Sequence, residues 1–241
     1  MVEIAMLLAA GRGTRLQPVE PDVPKALVEI SGEPLLARQL TYLHRQGISR
    51  VVVNAHHLAD QILLFAAAYE GSPELHVVTE EELLGTAGGV RNALPELGDD
   101  SFVVLYGDVL TDESLAPLAE HHQRTRAVAT LAVYESTEIE GKGTVAVDRA
   151  GFVLRFAEKG GDGAPGAALI NAGIYVVEPA FVRQIPDRVP LDFGHDVFPA
   201  ALACGQRVAT YRLSRPVLDV GVPESLELAR LSKDRVRRTV P

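Results

Sequence analysis

The chain has 241 residues, 47% of them hydrophobic and 23% charged, enough for one large α/β domain or a domain carrying an insertion. Twenty-three Lys and Arg against thirty-two Asp and Glu leave a formal charge of −9. That charge repels phosphate backbones at long range, which excludes nonspecific nucleic-acid binding and docking on anionic membranes as main activities. A single cysteine excludes an intramolecular disulfide and a cysteine-built metal cluster. No run reaches eighteen apolar residues, and acidic Glu3 stands where a secretory signal would carry basic residues, so the sequence reads as cytoplasmic.

Short apolar runs at 2–8, 51–55, 75–79 and 102–106 alternate with amphipathic stretches. This predicts βαβ units around a mostly parallel sheet with helices on both faces. Between the first two runs, Leu36, Leu40 and Leu43 fall at i, i+4 and i+7, and Gly47 suits a helix C′ position. Leu58, Ile62, Phe65 and Tyr69 repeat the pattern before Gly71. Past residue 108 the rhythm becomes hairpin-like, with runs at 127–134, 143–148, 151–159 and 168–177, and predicts a second, mixed sheet region joined to the first. A helix over 195–205, a strand over 207–213 and a terminal helix from Pro223 complete the chain, with a basic tail read as a solvated helix end.

Gly11-Arg12-Gly13-Thr14-Arg15-Leu16 directly follows the first strand, where glycines let backbone N–H groups approach an anion. Leu16 replaces the third glycine of a dinucleotide fingerprint, and no Walker A sequence occurs. Two cations follow closely: Arg15, and Lys25 of Pro24-Lys25-Ala26-Leu27, one of four lysines in the chain. Arg12 ranks below them.

These segments, with "ELLGTAGGV", "YGDV", "FAEK", "INAGIY" and "LDVGVPE" in that order, resemble the signature of the sugar-1-phosphate nucleotidylyltransferases over roughly residues 3 to 230. Within that family the likeness is nearest to guanylyltransferases acting on heptose or mannose 1-phosphate, through "GTVAVDRAGFVLRFAEK", "LINAGIY" and "DVGVPE". The resemblance implies a single Rossmann-like α/β domain, its mixed, mostly parallel sheet carrying a smaller sugar-binding β insertion. Residues 1–107 form its nucleotide-binding half, 108–225 its sugar-phosphate-binding half, and 226–241 a C-terminal helix and tail. The substrates implied are an NTP and a sugar 1-phosphate, with GTP favoured and UTP or dTTP left open; a homo-oligomer is also left open.

The site residues follow from the same likeness. Asp108 and Asp219, both at presumed strand ends, are metal ligands in the family and would hold Mg²⁺. Arg15 and Lys25 would join Asp108 as catalytic groups, with Gly11, Gly13 and Thr14 donating N–H groups to the triphosphate. Leu8, Ala9, Ala10, Gly85, Thr86, Ala87 and Gly88 are expected to form a flat base slot whose backbone groups read a base edge, with Glu80 or Glu82 accepting from guanine. Glu158 and Lys159 are expected to hold the sugar hydroxyls and phosphate, with Gly143, Asn171 and Gly173 as the wall. Asp196 has a minor sugar-side role by resemblance and His195 none.

The chemistry needs no general base, because a phosphate monoester with a second pKa of about 6 is already ionised at pH 7. The remaining residues are read plainly: Asn54 as structural, His56-His57 and His121-His122 as surface pairs that point apart, and Cys204 as a small buried hydrophobe. Two rivals remain. A glycosyltransferase would carry Asp-x-Asp, where Gly107-Asp108-Val109 stands here. A non-catalytic nucleotide-sugar sensor would be expected to have lost one of Arg15, Lys25, Asp108 or Asp219, and all four are present.

Overall fold

The computed structural model describes residues 2–157 and 167–237, the last six of these by backbone alone. In chain order come β1 (Ile4–Leu8), β2 (Glu29–Ile30), β3 (Glu33–Pro34), α1 (Leu35–Arg45), β4 (Arg50–Ala55), α2 (Ala59–Ala67), β5 (Glu74–Thr79), α3 (Gly85–Leu97), β6 (Phe102–Tyr106) and β7 (Val109–Leu110). Then follow α4 (Ala116–Thr125), β8 (Ala129–Ser136), β9 (Thr144–Val147), β10 (Val153–Ala157), β11 (Ala168–Val177), α5 (Pro179–Val182), α6 (Phe198–Ala203), β12 (Val208–Arg212), β13 (Leu218–Asp219) and α7 (Pro223–Arg237). No helix among the described residues is long and apolar enough to cross a membrane.

Strands β5, β4, β1 and β6 lie side by side and parallel, as the alternating runs predict. Both faces of β1, β4 and β6 are covered, which is why their middles are apolar runs rather than alternating; β5, at the edge of the sheet, is only half-buried. Met6, Val52 and Val104 face one core with Ala87, Val90 and Leu97 of α3 and with Phe193 and Phe198. Ala5, Leu7, Val51, Val53 and Leu105 face the other, with Leu36, Leu40 and Leu43 of α1, Ile62 of α2 and Leu118 of α4. The predicted periodicity of α1 is thus the stripe that packs. In the next helix, Leu58 precedes the first turn in a left-handed conformation, φ 55°, and the helix ends at Ala67 rather than running on toward Gly71.

The expected second sheet region is instead continuous with the first: β8 to β12 all belong to the same nine-stranded sheet. The reason is β11, ten residues long. Its residues 174–177 pair antiparallel with β6, Leu169 and Ile170 pair with β9, and its other edge pairs with β8 across an irregularity between Asn171 and Tyr175. One strand therefore carries the sheet from its parallel centre to its antiparallel flank, bending at a local bulge.

A third, smaller core lies outside the sheet. Leu16, Val28, Ile30 and Leu35 pack with Val220, Leu226 and Ala229, joining the loop after β1 to β13 and α7. Leu16 is 2% exposed, so the residue that breaks the glycine fingerprint is the plug that anchors the loop. Leu16→Ala should cost about 2–5 kcal/mol of stability, measured by urea unfolding; a loss under about 1 kcal/mol would mean that the loop is not held by this core.

Candidate functional site

The loop after β1 and the turn after β6 meet at the carboxyl ends of parallel strands, where β1 has β4 on one side and β6 on the other. Crossovers leave in opposite directions at such a switch point and open a crevice. A cavity of about 230 Å³ occupies it, lined by Leu8, Ala9, Gly11, Gly13, Thr14, Arg15, Lys25, Ala26, Gly107, Asp108 and Gly221. Gly107 is required there: its N–H bonds to the Leu8 carbonyl at 2.8 Å, and a Cβ would lie 2.3 Å from that oxygen.

Lys25 opens a single 3₁₀ turn, Lys25–Leu27, whose Ala26 is buried. Its ammonium reaches Asp108 Oδ2 at 2.5 Å, with the two side chains 15% and 24% exposed. Asp219 arrives by a two-stranded antiparallel ribbon in which β13 pairs with β7, setting Asp219 opposite Val109; Val220 N–H donates to the Asp108 carbonyl at 2.7 Å. Arg15 reaches the same point from the other side. A Cβ on Gly221 would lie 2.6 Å from Asp219 Oδ1 and 3.0 Å from Arg15 Nη2. Partial burial and the neighbouring Asp108 carboxylate push the Asp219 carboxyl above its ordinary range, against the pull of Lys25, Arg15 and Lys142.

Sequence reasoning missed two braces. Gln39 of α1, buried, donates through Nε2 to the carbonyls of Tyr106 and Val109 at 3.2 and 3.1 Å, so it spans the turn that presents Asp108. Its place on the apolar stripe was the available signal, a polar residue between Leu36 and Leu40. Asp192 accepts from Thr86 N–H and Oγ1 at 3.1 and 3.0 Å and holds the start of α3; nothing in its sequence neighbourhood announces this.

The expected base slot is partly turned inward. Thr86 N–H donates to Asp192, and the N–H groups of Ala87 and Gly88 donate to the Leu191 carbonyl. Gly85, at φ +79°, approaches that carbonyl so closely that a Cβ would lie 2.4 Å from it. Residues 86 to 88 therefore spend their donors inside the protein, and Ala87 and Gly88 are themselves buried in the packing of α3, so of residues 85–88 only Gly85 and Thr86 keep partial exposure. Ala10 is buried beside Ala9 and does not line the cavity, and Arg12 is exposed outside it. Glu80 is 6% exposed and bonded within the protein, whereas Glu82 is exposed.

Gly143, Asn171 and Gly173 come together away from that cavity, along β11. Asn171 N–H donates to the Gly143 carbonyl, its Oδ1 accepts from Gly173 N–H, and its Nδ2 donates to the Tyr175 hydroxyl. Glu158 and Lys159 lie outside the described residues. Asp196 accepts from Asp192 N–H and sits near His195 and Arg188. Two plain readings are corrected. His122 is 1% exposed, not on the surface, because it bridges Thr130 and Glu178. Cys204 is exposed, because α6 ends at Ala203 and places it on the closing turn.

Among the described residues no cluster of three or more acidic, histidine or cysteine side chains forms a metal cage. What the cleft presents is a glycine loop, two cations and two mutually repelling carboxylates, an arrangement suited to a polyphosphate together with a divalent cation. The chain belongs to the nucleotidyl transferase family, whose model matches residues 4–234. It is 34% identical over 242 residues to a mannose-1-phosphate guanylyltransferase of Mycobacterium tuberculosis, covering 98% of this chain and 66% of the relative. It is 30% identical over 246 residues to a UTP–glucose-1-phosphate uridylyltransferase of Synechocystis, covering 94% and 62%. The chain thus spans about two thirds of the length of these relatives. Among solved structures, HddC from Yersinia pseudotuberculosis complexed with GMP-PN superposes with a TM-score of 0.83 at 26% identity, covering 96% of this chain and all of that one.

A raised carboxyl binds its proton more tightly in the folded chain than in the unfolded one. Stability is therefore lost as the pH climbs through the raised pKa, and the penalty is absent below the ordinary carboxylate range. Asp219→Asn should accordingly raise the Tm of the metal-free protein at pH 7 to 8, and the gain should shrink as the pH falls. Calorimetry with a chelator from about pH 4 to about pH 8 checks it; a gain that does not vary over that span would contradict the raised Asp219 carboxyl.

Proposed function

We propose that the protein is a sugar-1-phosphate nucleotidylyltransferase, joining an NTP to a sugar 1-phosphate with release of pyrophosphate. The observation that carries this reading is the convergence of Arg15, Lys25, Asp108 and Asp219 on one glycine-lined cleft in a chain whose net charge is −9. A sugar phosphate oxygen attacks the α-phosphorus and pyrophosphate leaves in line. The protein's part is positioning and charge neutralisation.

Lys25 and Arg15 act on the triphosphate, with N–H groups of Gly11, Gly13 and Thr14 facing the leaving pyrophosphate. Asp108 and Asp219 are hard oxygen donors whose mutual repulsion a divalent ion would relieve, and they would hold Mg²⁺. Bound there, the ion would supply charge stabilisation to the phosphates. Leu8 and Ala9, with the half-buried Gly85 and Thr86, shape the base slot in the half 1–107. Gly143, Asn171 and Gly173 wall the sugar side in the half 108–225. Glu158 and Lys159 join that side on sequence resemblance alone, and the terminal helix packs on the third core through Leu226 and Ala229.

GTP and a mannose- or heptose-type 1-phosphate are the favoured pair. Support comes from the likeness to a mannose-1-phosphate guanylyltransferase and to a structure complexed with GMP-PN. The similarity to a uridylyltransferase keeps UTP as the second reading.

A pyrophosphate-release panel of GTP, ATP, UTP, CTP and dTTP against mannose, glucose, heptose and N-acetylhexosamine 1-phosphates tests the reading. One nucleotide–sugar pair should dominate, and silence across the panel would end it. Lys25→Ala and Asp108→Ala should each lower turnover at least about 10²-fold, since each removes charge complementary to the reacting phosphates. A variant within about threefold of wild type would take that residue out of the mechanism.

A further inference from the structure

The register of β11 decides which residues overhang the cleft. Ile174 pairs with Leu105, which sets Gly173 beside Tyr106, whose ring a Cβ at 173 would meet at 3.0 Å. The earlier residues of β11 therefore project past the carboxyl end of β6, where the Asp108 turn begins. One edge of that overhang pairs with β8, placing Ile170 opposite Tyr134, and the other pairs with β9, placing Leu169 opposite Val145. Lys142 and Gly143 lead directly into β9, and their backbone is pinned twice. Lys142 N–H donates to the Ile139 carbonyl at 3.1 Å, and the Gly143 carbonyl accepts from Asn171 N–H at 2.9 Å.

The Lys142 ammonium stands over the Tyr134 ring, 5.9 Å from its centroid. Tyr134, Ile139 and Val217 belong to the core that also holds Ala26 and Val109, the sequence neighbours of Lys25 and Asp108. Val217 is two residues before Asp219. Lys142 thus lies on the same face of the sheet as the Lys25–Asp108 pair, between the sugar wall and the second carboxylate. Its ion-pair partner, Glu138 at 3.9 Å, has a side chain 89% exposed against 36% for the lysine. So open a pair holds a lysine weakly, and the stem leans over the tyrosine instead of following the acid into solvent. With Lys25 and Arg15, Lys142 is the third cation that draws the Asp219 carboxyl down.

The acceptor brings a phosphate that is largely dianionic at pH 7. It must settle beside a triphosphate that already occupies Lys25 and Arg15, so it needs a counter-charge of its own on the Gly143 side. We propose that Lys142 binds the phosphate of the sugar 1-phosphate and draws the acceptor to the Asp219 edge of the cleft. An ammonium on a flexible stem meets phosphate as a point charge, without reading the groups around it. Lys142 therefore selects the class of acceptor, a sugar carrying a phosphate, and leaves the choice of sugar to the wall. The inference rests on the transferase reading above and adds a residue that acts on the acceptor and not on the nucleotide.

The test removes the charge and then restores it. Lys142→Met and Lys142→Gln keep a stem over Tyr134 without an ammonium, and Lys142→Arg keeps the charge. Each neutral variant should raise the sugar-1-phosphate KM at least about tenfold while the calorimetric Kd for the triphosphate stays within about threefold, and Lys142→Arg should return the KM to within about threefold of wild type. The loss should be the same factor for every sugar 1-phosphate the wild type accepts. Raising KCl from about 0.05 to about 0.3 M should lift the wild-type sugar-phosphate KM more steeply than that of Lys142→Met, because screening acts on a charge the variant lacks.

Neutral variants with a sugar-phosphate KM within about threefold of wild type overturn the proposal. So does a loss that falls equally on the triphosphate Kd, which would reduce Lys142 to a neutraliser of Asp219, and so does a loss confined to one sugar. Thermal melts accompany each variant: one neutral variant that unfolds leaves the other to carry the comparison, and unfolding of both would make the lysine a structural prop. A wild type silent across the nucleotide and sugar panel ends the transferase reading, and Lys142 is then judged by binding alone. Mannose and glucose 1-phosphates are titrated into protein holding Mg²⁺ and an unreactive imido analogue of GTP or UTP, where Lys142→Met should bind about tenfold more weakly than wild type. Equal binding overturns the assignment of Lys142, and a wild type that binds neither sugar phosphate overturns both readings.

Discussion

The cleft depends on a two-stranded ribbon only two residues long. Asp108 and Asp219 are remote in sequence, and the pairing of β13 with β7 alone sets Asp219 opposite Val109, with Val220 bonded to the Asp108 carbonyl. Burial first, and then repulsion by the Asp108 carboxylate, raise the Asp219 carboxyl, which registers the cost of enclosing the two acids together. So short a ribbon cannot carry the strain by its own hydrogen bonds. The third core supplies the anchor: Leu218 and Val220 on either side of Asp219 pack with Leu16, Val28 and Leu226. The same hydrophobic cluster therefore fixes the glycine loop, the second carboxylate and the terminal helix.

Around this centre, polar braces replace packing wherever backbone has to bend. Gln39 clips both sides of the Asp108 turn, Asp192 receives Thr86 at the start of α3, and Asn54 links Ala9 to Glu80. Each satisfies backbone groups that strand or helix geometry leaves unpaired at the end of an element. Loops at strand ends gain rigidity in this way without filling the space a ligand needs. One of the two cations is held by charge as well: the Lys25 ammonium is directed by Asp108, while Arg15 stands near Asp219 and lowers its carboxyl.

Local pattern made much of this legible. β4, β6 and β11 appear as apolar runs because both faces of the sheet are buried there, α1 as a stripe because one face packs, and the glycine loop with Arg15 and Lys25 is visible as residues. What pattern could not give was pairing. β7 and β13 are too short to leave a period, so the contact of Asp108 with Asp219 came from resemblance and not from spacing. The continuity of the sheet through β11 was missed because a bulge inside a strand changes its partners without changing its composition. The inward turn of the 86–88 amides was missed because their acceptors, Leu191 and Asp192, lie about a hundred positions away. Cys204 and His122 exchanged their expected burial for tertiary reasons: one falls on a helix-ending turn, the other finds Thr130 and Glu178 beneath α4.

The histidines bear on the mechanism by their placement. None of the seven lines the cleft. His122 is enclosed between Thr130 and Glu178, His56 contacts the Glu80 carbonyl, and His76 sits beside Glu74. A reaction that had to strip a proton from a hydroxyl would need a base within hydrogen-bond reach of the nucleophile. A phosphate oxygen needs none, since it arrives ionised. Its difficulty is the meeting of two anions inside a protein of like charge, and a cleft with its own cations and paired carboxylates answers that difficulty.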